Sequence, residues 1–452
     1  MSRASQVAAL QIHIDGLLSA IEVQKNVLQG LMSQHKEAQR KMNFFLDPMA
    51  QLPLEIQSMI FVFARQLGSE IPEPNPRSPP MVFLSVCRMW RDIALSTPAL
   101  WSEIQLDSLP RGSNYLELGN IWLKRARALP LSVKLNGSMR LDRSVENLIA
   151  RFSHQIEDLT LELAPKRMDK CQHDFWTRYI QFEPREGASL SSLKTLSIKA
   201  EDEEEFYFEY RGEWLDMLRG APELSGFSMQ NMIYSDQWAE PKPEPQPLTL
   251  ASLHTLHLGK PYEHALALAG THQNSSVILE YLTLPALRVL SLSYLDIADE
   301  TLVSFLERSS PPLESLHLIP RSRWGVAGLC NCLRFMSTLI DLQLSAPASW
   351  QLSPVFTALA TSPDVLPNLR TMTIWMSTLM FLDYEKFSRM LDMWRPASLI
   401  SFKLHFAPYC GAAHDYTADL PTEQIKSQLR DLAASGVKVH FGPVNDNLLA
   451  RW

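Results

Sequence analysis

The side chains that could do chemistry in this 452-residue chain are five cysteines, twelve histidines and many carboxylates, and their spacing argues against catalysis. Cys87, Cys171, Cys330, Cys332 and Cys410 are odd in number and dispersed. Only Cys330 and Cys332 lie close, and a tetrahedral zinc site needs four ligands. No histidine joins a cysteine at ligand spacing, so neither a metal nor another cofactor is expected. The sequence holds no G-x-S-x-G elbow, no phosphate-binding P-loop, no G-x-G-x-x-G and no H-E-x-x-H. Cys87 stands near Val86 and Trp90 in an apolar stretch, where a buried, inert thiol is expected in place of a nucleophile. The chemistry that remains is recognition. Trp375, Lys403 and His405, joined by His257 and His317, are the candidate target-binding residues. An exposed Trp beside cationic groups suits an acidic or phosphorylated segment.

Those residues sit in a repeated pattern, apolar-x-x-apolar-x-apolar, which recurs nine times. It runs Ile156-Leu159-Leu161, Leu193-Leu196-Ile198, Leu224-Phe227-Met229, Leu253-Leu256-Leu258 and Leu287-Leu290-Leu292, then Leu313-Leu316-Leu318, Leu339-Leu342-Leu344, Leu369-Met372-Ile374 and Leu399-Phe402-Leu404. Starts are 26 to 37 residues apart. Amphipathic helical stretches lie between them, as at 301–308, 326–336 and 384–394, so each unit reads as strand, loop and helix. The last two apolar positions alternate with polar ones, as the two faces of a strand require. The intervening residues, which include Ser197, His257, His317 and Lys403, are therefore expected in one row on the open face, beside a row with Trp375 and His405. The pattern resembles the leucine-rich repeat. That resemblance implies a solenoid whose concave face binds a partner. The Asn or Cys of the standard repeat is missing, for Leu258 is followed by Gly259, Lys260 and Pro261. The expectation is an irregular solenoid, beside the alternative of an α/β domain with Leu-rich strands. Leu131, Val133 and Leu135 look like an opening strand, and Val437, Val439 and Phe441 like a closing one. The acidic run at 201–205 and the proline run at 241–247 read as a solvated loop and a stiff spacer.

Residues 52–106 pose a different problem, because they carry more large apolar residues than so short a segment can bury. Pro53 suits the first turn of a helix, and Ile56, Met59, Ile60 and Phe63 follow at helical spacing. After a proline-rich break, Val82, Leu84, Val86, Met89, Trp90, Ile93 and Ala94 continue on a helical period, read as one helix that Ser96-Thr97-Pro98 stops. Leu100 and Trp101 add a third apolar anchor. Leu52-Pro53, Glu55-Ile56, Ile60-Phe61, Leu84, Val86-Cys87, Arg88 and Trp90-Arg91 resemble the F-box domain in its fungal form. The segment 68–80 departs from the family, being longer and proline-rich. The resemblance implies docking on the small adaptor subunit of an SCF-type ubiquitin ligase, and through it on a cullin. Leu52, Pro53, Ile56, Ile60, Val86, Cys87 and Trp90 are the candidate contacts, undivided between interface and internal core. Trp90 is the natural hot spot.

Ahead of this segment, residues 1–47 read as one long helix. Val7, Leu10, Ile14, Leu17, Ile21, Leu28 and Leu31 fall on alternating three- and four-residue steps, a heptad seam interrupted by Gln24 and His35. Self-association through residues 7–45 and packing onto the rest of the chain both remain open. The expected fold class is α/β, with a long helix (1–47), a small helical F-box (48–107) and a leucine-rich-repeat-like strand–helix solenoid (108–452). A net charge of −7 gives no electrostatic case for nucleic acid. No apolar run reaches the 18 or so residues of a membrane span, and the N-terminus lacks the apolar core of a signal peptide. Dispersed cysteines suit a reduced compartment, so cytoplasm or nucleus is expected. The function expected is a non-catalytic substrate-recognition adaptor of a ubiquitin ligase, whose repeats bind a target protein. The alternative is a leucine-rich scaffold that binds the ligase adaptor without ubiquitination.

Overall fold

The computed structural model describes residues 3–68, 71–107, 114–137, 143–163, 190–200, 206–208, 211–230, 232–234, 245–259, 278–295, 299–320, 331–346, 352–362, 364–376, 382–394, 396–406, 421–444 and 446–451. The chain divides into two compact units, one of Met1–Glu70 and Asn75–Leu100, the other of Ile71–Pro74 and Trp101–Trp452.

The first unit is helical. Helix α1 spans Arg3–Leu46. Asp47 then caps a short 3-10 turn, Pro48–Gln51, by accepting the Met49 N–H at 2.9 Å. Helix α2 follows at Leu54–Gln66, with Pro53 at its N-cap and Glu55 in the first turn, where the helix dipole favours an anion. The side-chain amide of Gln57, itself buried, donates to the carbonyls of Met49 (2.7 Å) and Leu52 (2.8 Å) and so fixes the turn to the helix. The stretch read from sequence as one helix is broken. Helix α3 (Phe83–Val86) ends at Cys87, whose backbone is extended, and α4 (Arg88–Ser96) begins anew. Cys87 Sγ caps α4 by accepting the Trp90 N–H at 3.4 Å, and Arg91 Nε reaches back to the Leu84 carbonyl at 2.9 Å. As expected from Pro98, α4 stops at Ser96. The core is small and aromatic: Phe61 stacks on Phe83 with ring centres 4.4 Å apart, and Trp90 lies 5.0 Å from Phe61.

The second unit is built on a twelve-stranded parallel sheet whose members pair in chain order, with two small two-stranded pairs, 206–208 with 232–234 and 248–249 with 282–283, set apart from it. Strands β1 to β6 are Glu103–Asp107, Leu131–Gly137, Ile156–Leu163, Thr195–Ala200, Gly226–Gln230 and Thr255–Gly259. Strands β7 to β12 are Val289–Leu295, Ser315–Pro320, Asp341–Ala346, Thr371–Met376, Ser401–Phe406 and Lys438–Gly442. Each of the nine spaced apolar triplets falls on a strand, with its first residue at the strand's start or in the turn before it. The opening and closing strands expected at 131–135 and 437–441 are β2 and β12. Strand β1 is an addition to the expected strands: Trp101, read from sequence with Leu100 as a third apolar anchor of the helical segment, is buried in this unit with Ile104 and Leu106. Trp101 meets Trp122 edge-on at 4.9 Å. The free side of β1 is occupied by the short stretch Ile71–Pro74, whose Pro72 carbonyl accepts the Gln105 N–H at 2.8 Å. That contact covers a sheet edge, which would otherwise present unpaired backbone groups.

Regularity extends one residue before the strands. Lys194, Ser225, His254, Arg288, Glu314, Ile340, Arg370 and Ile400 each donate a backbone N–H to the equivalent residue one strand back, at 2.7–2.9 Å. Parallel strands need crossovers, and among the described residues several carry helices, including α5 (Asn114–Arg125), α6 (Arg143–Phe152), α7 (Arg211–Arg219), α8 (Ile278–Tyr281) and α9 (Asp299–Ser309). Further on come α10 (Ser353–Thr361), α11 (Tyr384–Met393) and α12 (Glu423–Ala434). The stretches expected as helical at 301–308 and 384–394 are α9 and α11. Of 326–336, residues 331–334 are helical and 326–330 lie outside the described residues. Helices pack on the sheet through aromatic rings, with Phe356 5.2 Å from Phe387 and Phe387 6.3 Å from Phe402 of β11. The acidic run 201–205, the first half of the proline run (241–244), Cys171, Cys330 and Cys410 also lie outside the described residues.

Candidate functional site

Two surfaces hold the residues singled out from sequence, one in each unit. In the first unit α2 buries only Gln57 and Phe61. Its other large side chains face outward. Leu52, Ile56 and Ile60 are exposed, and so are Leu54, Met59 and Phe63, the last two at 65% and 63%. Val86, at the end of α3, is 53% exposed. Burying an apolar side chain is worth roughly 1.5–3 kcal/mol relative to leaving it in water, so the exposed side of this helix carries a standing cost.

The structure thus separates the seven candidate docking residues, which periodicity alone left undivided. Leu52, Pro53, Ile56, Ile60, Val86 and Cys87 are exposed, while Trp90 is half-buried against Phe61 and Phe83. Trp90 is therefore a core residue first, and its truncation tests folding more than docking. Cys87 is corrected as well: its thiol is exposed and not buried, because the residue forms the cap between α3 and α4 and does not lie on a helix face. Met59, Phe63 and Leu54 were absent from the candidates. The helical spacing of Met59 and Phe63 is legible in the sequence, but only the structure shows that Phe61, between them, takes the inward place.

In the second unit the alternation of buried and open positions lays out a polar face. The middle row runs across all twelve strands in continuous register: Gln105, Lys134, Thr160, Ser197, Ser228 and His257, then Ser291, His317, Gln343, Thr373, Lys403 and His440. Between β4 and β6 it holds an open hollow of about 430 Å³, lined mostly by apolar surface of residues that include Thr195, Ser197, Ser228, Thr255, His254 and His257. His257 and His317 are both partly withdrawn from water, which pushes their pKa values below the usual range; for His317 the nearby His257 adds to that, against an opposing pull from Asp341. His317 sits between two hydroxyls, Ser291 Oγ at 3.4 Å from Nδ1 and Ser345 Oγ at 3.4 Å from Nε2.

At the far end of the face, Trp375 stacks on His405 with ring centres 4.3 Å apart, and His405 meets His440 at 4.5 Å. The expectation of an exposed Trp among cations needs correction here. Trp375 is half-buried and His405 is only 7% exposed. Burial, helped by His440 and Lys403, lowers the His405 pKa to about 4, so its ring is neutral at pH 7. Its Nδ1 finds no hydrogen-bond partner among the described residues. Lys403 is exposed and remains the cation of the group. The face therefore offers hydroxyls and neutral imidazoles more than positive charge.

Among the described residues, no group of three or more His, Cys, Asp or Glu side chains converges as a metal site, and no helix is long and apolar enough to cross a membrane. No protein-family model matches the chain. No curated protein matches its sequence.

Proposed function

We propose that this chain is a substrate-recognition adaptor of an SCF-type ubiquitin ligase, with an F-box in its helical unit and a leucine-rich-repeat-like solenoid as its target-binding arm. One observation carries the reading: α2 turns Ile56, Met59, Ile60 and Phe63 to solvent although Phe61 already fills the small core beneath it. A helix that is apolar on its outer side is a partner's helix groove waiting for its ridge. The docking contacts are Leu52, Pro53, Ile56, Ile60, Val86 and Cys87, with Met59 and Phe63 added. The polar face of the sheet receives the target, whose segment is held by hydrogen bonds to hydroxyls and imidazoles, with Lys403 giving one end a preference for an acidic group. The chain supplies proximity, and bond-making resides elsewhere in the ligase.

Co-purification of the full chain with the small ligase adaptor tests this. The wild-type chain is expected to form a stable complex. The double substitution Ile56→Glu with Ile60→Glu, on exposed positions, is expected to weaken it by roughly a hundredfold, given about 1.4 kcal/mol per tenfold. A folded wild-type chain that does not capture the adaptor overturns the proposal.

A further inference from the structure

We propose that α1 pairs with a second copy of the chain as a parallel, in-register, two-stranded coiled coil. The helix is 44 residues long, about 66 Å at 1.5 Å per residue, and every side chain described on it is exposed. A helix with so much bare apolar surface gains little from propensity alone, since helices in proteins draw most of their stability from packing one face. The face here is a heptad seam. Val7, Ile14, Ile21 and Leu28 recur at the first heptad position, and Leu10, Leu17 and Leu31 at the fourth. β-branched residues at the first with Leu at the fourth favour two parallel strands.

The polar interruptions select the occupant and its direction. Gln24 replaces a fourth-position Leu, and His35 a first-position one. Side by side and in register, each meets its own copy, amide against amide and imidazole against imidazole, and is satisfied within the seam. A fully overlapped antiparallel pair instead sets Gln24 against Leu28 and His35 against Leu17, and brings the two Lys25 ammoniums together. An antiparallel pair shifted to match Gln24 with His35 strands Val7 and Leu10 beyond the overlap. Surface charge does not oppose the parallel pair, because Glu22–Lys25 and Glu37–Lys41 are ion pairs within one helix. Gly16 and Gly30 both fall at the third heptad position, off the seam.

Light scattering on the purified full chain is expected to give twice the 51.4 kDa of one chain. Leu17→Glu with Leu31→Glu should weaken the pair by roughly a hundredfold or more, since each puts an unpaired carboxylate in a buried layer. Far-UV circular dichroism and a retained cooperative melt of the sheet unit show that this variant is folded. Leu10→Cys places two thiols opposite each other only in the parallel pair, and should cross-link between chains on mild oxidation well above the wild-type baseline set by exposed Cys87. Gln24→Leu should tighten association by at least about tenfold. A single-chain mass for the wild type, or a pair indifferent to the two glutamates, overturns the proposal. A pair that forms without the Leu10→Cys cross-link overturns its parallel direction.

Discussion

In the sheet of the second unit, apolar and polar side chains alternate with a period of two and the apolar set is buried, as with Leu256 and Leu258 on β6 or Met372 and Ile374 on β10. In α2 of the first unit, apolar residues are spaced for a helix, yet Met59, Ile60 and Phe63 face water while Phe61 alone goes inward with Gln57. The two units have the same apolar vocabulary. They differ in whether the chain supplies the covering layer. A strand of the sheet gets one from crossover helices and from its neighbours. Among the described residues the helical unit has three α-helices besides α1, and its core is small: Phe61, Phe83 and the half-buried Trp90, with Ile93, Ala94 and Leu100. Apolar residues are thus mostly covered in the strands of the sheet unit, and in the helical unit many of them are left exposed.

The sharpest way to break this comparison is at the centre of the small core. Phe61→Ala removes the ring on which both Phe83 and Trp90 rest, and should cost about 3–5 kcal/mol. A unit with so little else inside has no reserve against that loss. Denaturation of the full chain should show the helical unit melting separately and earlier, with the sheet transition unmoved. If both transitions shift together, the two units are not independent and the contrast between them fails.

The sheet has its own fragile point, and it lies where the chain departs from the repeat pattern. Gly259 closes β6 with φ +100°, and an added Cβ would stand 1.7 Å from the Ser293 carbonyl oxygen of the paired strand β7. Gly259→Ala combines left-handed strain with overpacking against backbone, and should cost about 3 kcal/mol in the sheet transition alone. Equilibrium unfolding of this variant reads the size, and an unchanged midpoint would mean that the strands are less tightly joined than their register implies.

How much of this was legible beforehand follows from the range over which each signal acts. Eleven of the twelve strands could be read, the nine triplets with the opening and closing strands, because alternation is local and survives in every repeat. Strand β1, no shorter than β5 or β6, carries the same spacing in Trp101-Ile104-Leu106, but these residues directly follow the apolar helical pattern of 52–100 and read as its last anchor. The break at Cys87 was invisible to periodicity, which continues in phase from Val86 to Trp90 whether or not the backbone does. The exposed side of α2 could not be told from its buried side, since apolar residues occupy both. His405 looked like an open cation because it follows the last apolar residue of its repeat. Only the sheet shows Trp375 and His440 closing over it.

That enclosure gives a pH dependence confined to the second unit. His405 has a folded pKa of about 4 against 6.5 for a free imidazole, with burial as the main cause and His440 and Lys403 reinforcing it. Between those values the unfolded chain binds the proton and the folded chain does not. The stability contributed is therefore fully present above pH 6.5 and is lost as the pH falls towards 4. The loss should be on the order of 2 kcal/mol. His257 and His317, shifted in the same direction by burial, add to the slope. His405→Gln should flatten the sheet unit's acid dependence between pH 6.5 and 4, measured as denaturation midpoints across that window. A slope identical to the wild type would place the proton uptake elsewhere.

The smallest effect reverses the sign of a substitution already used. Gly30 in α1 has nothing within 4 Å of a Cβ built upon it, and it lies off the heptad seam. Alanine in place of glycine inside a helix is worth up to about 1 kcal/mol, because the backbone surrenders less freedom on folding. Gly30→Ala should therefore raise the helical signal in far-UV circular dichroism and the melting temperature of α1, while Gly259→Ala lowers that of the sheet. The same methyl group stabilises where the chain has left space around itself and destabilises where strands have closed on it. Were Gly30→Ala to weaken α1, that side of the helix would have to be pressed against a neighbour, and the contrast between a helix with open space around it and a closed sheet would fail.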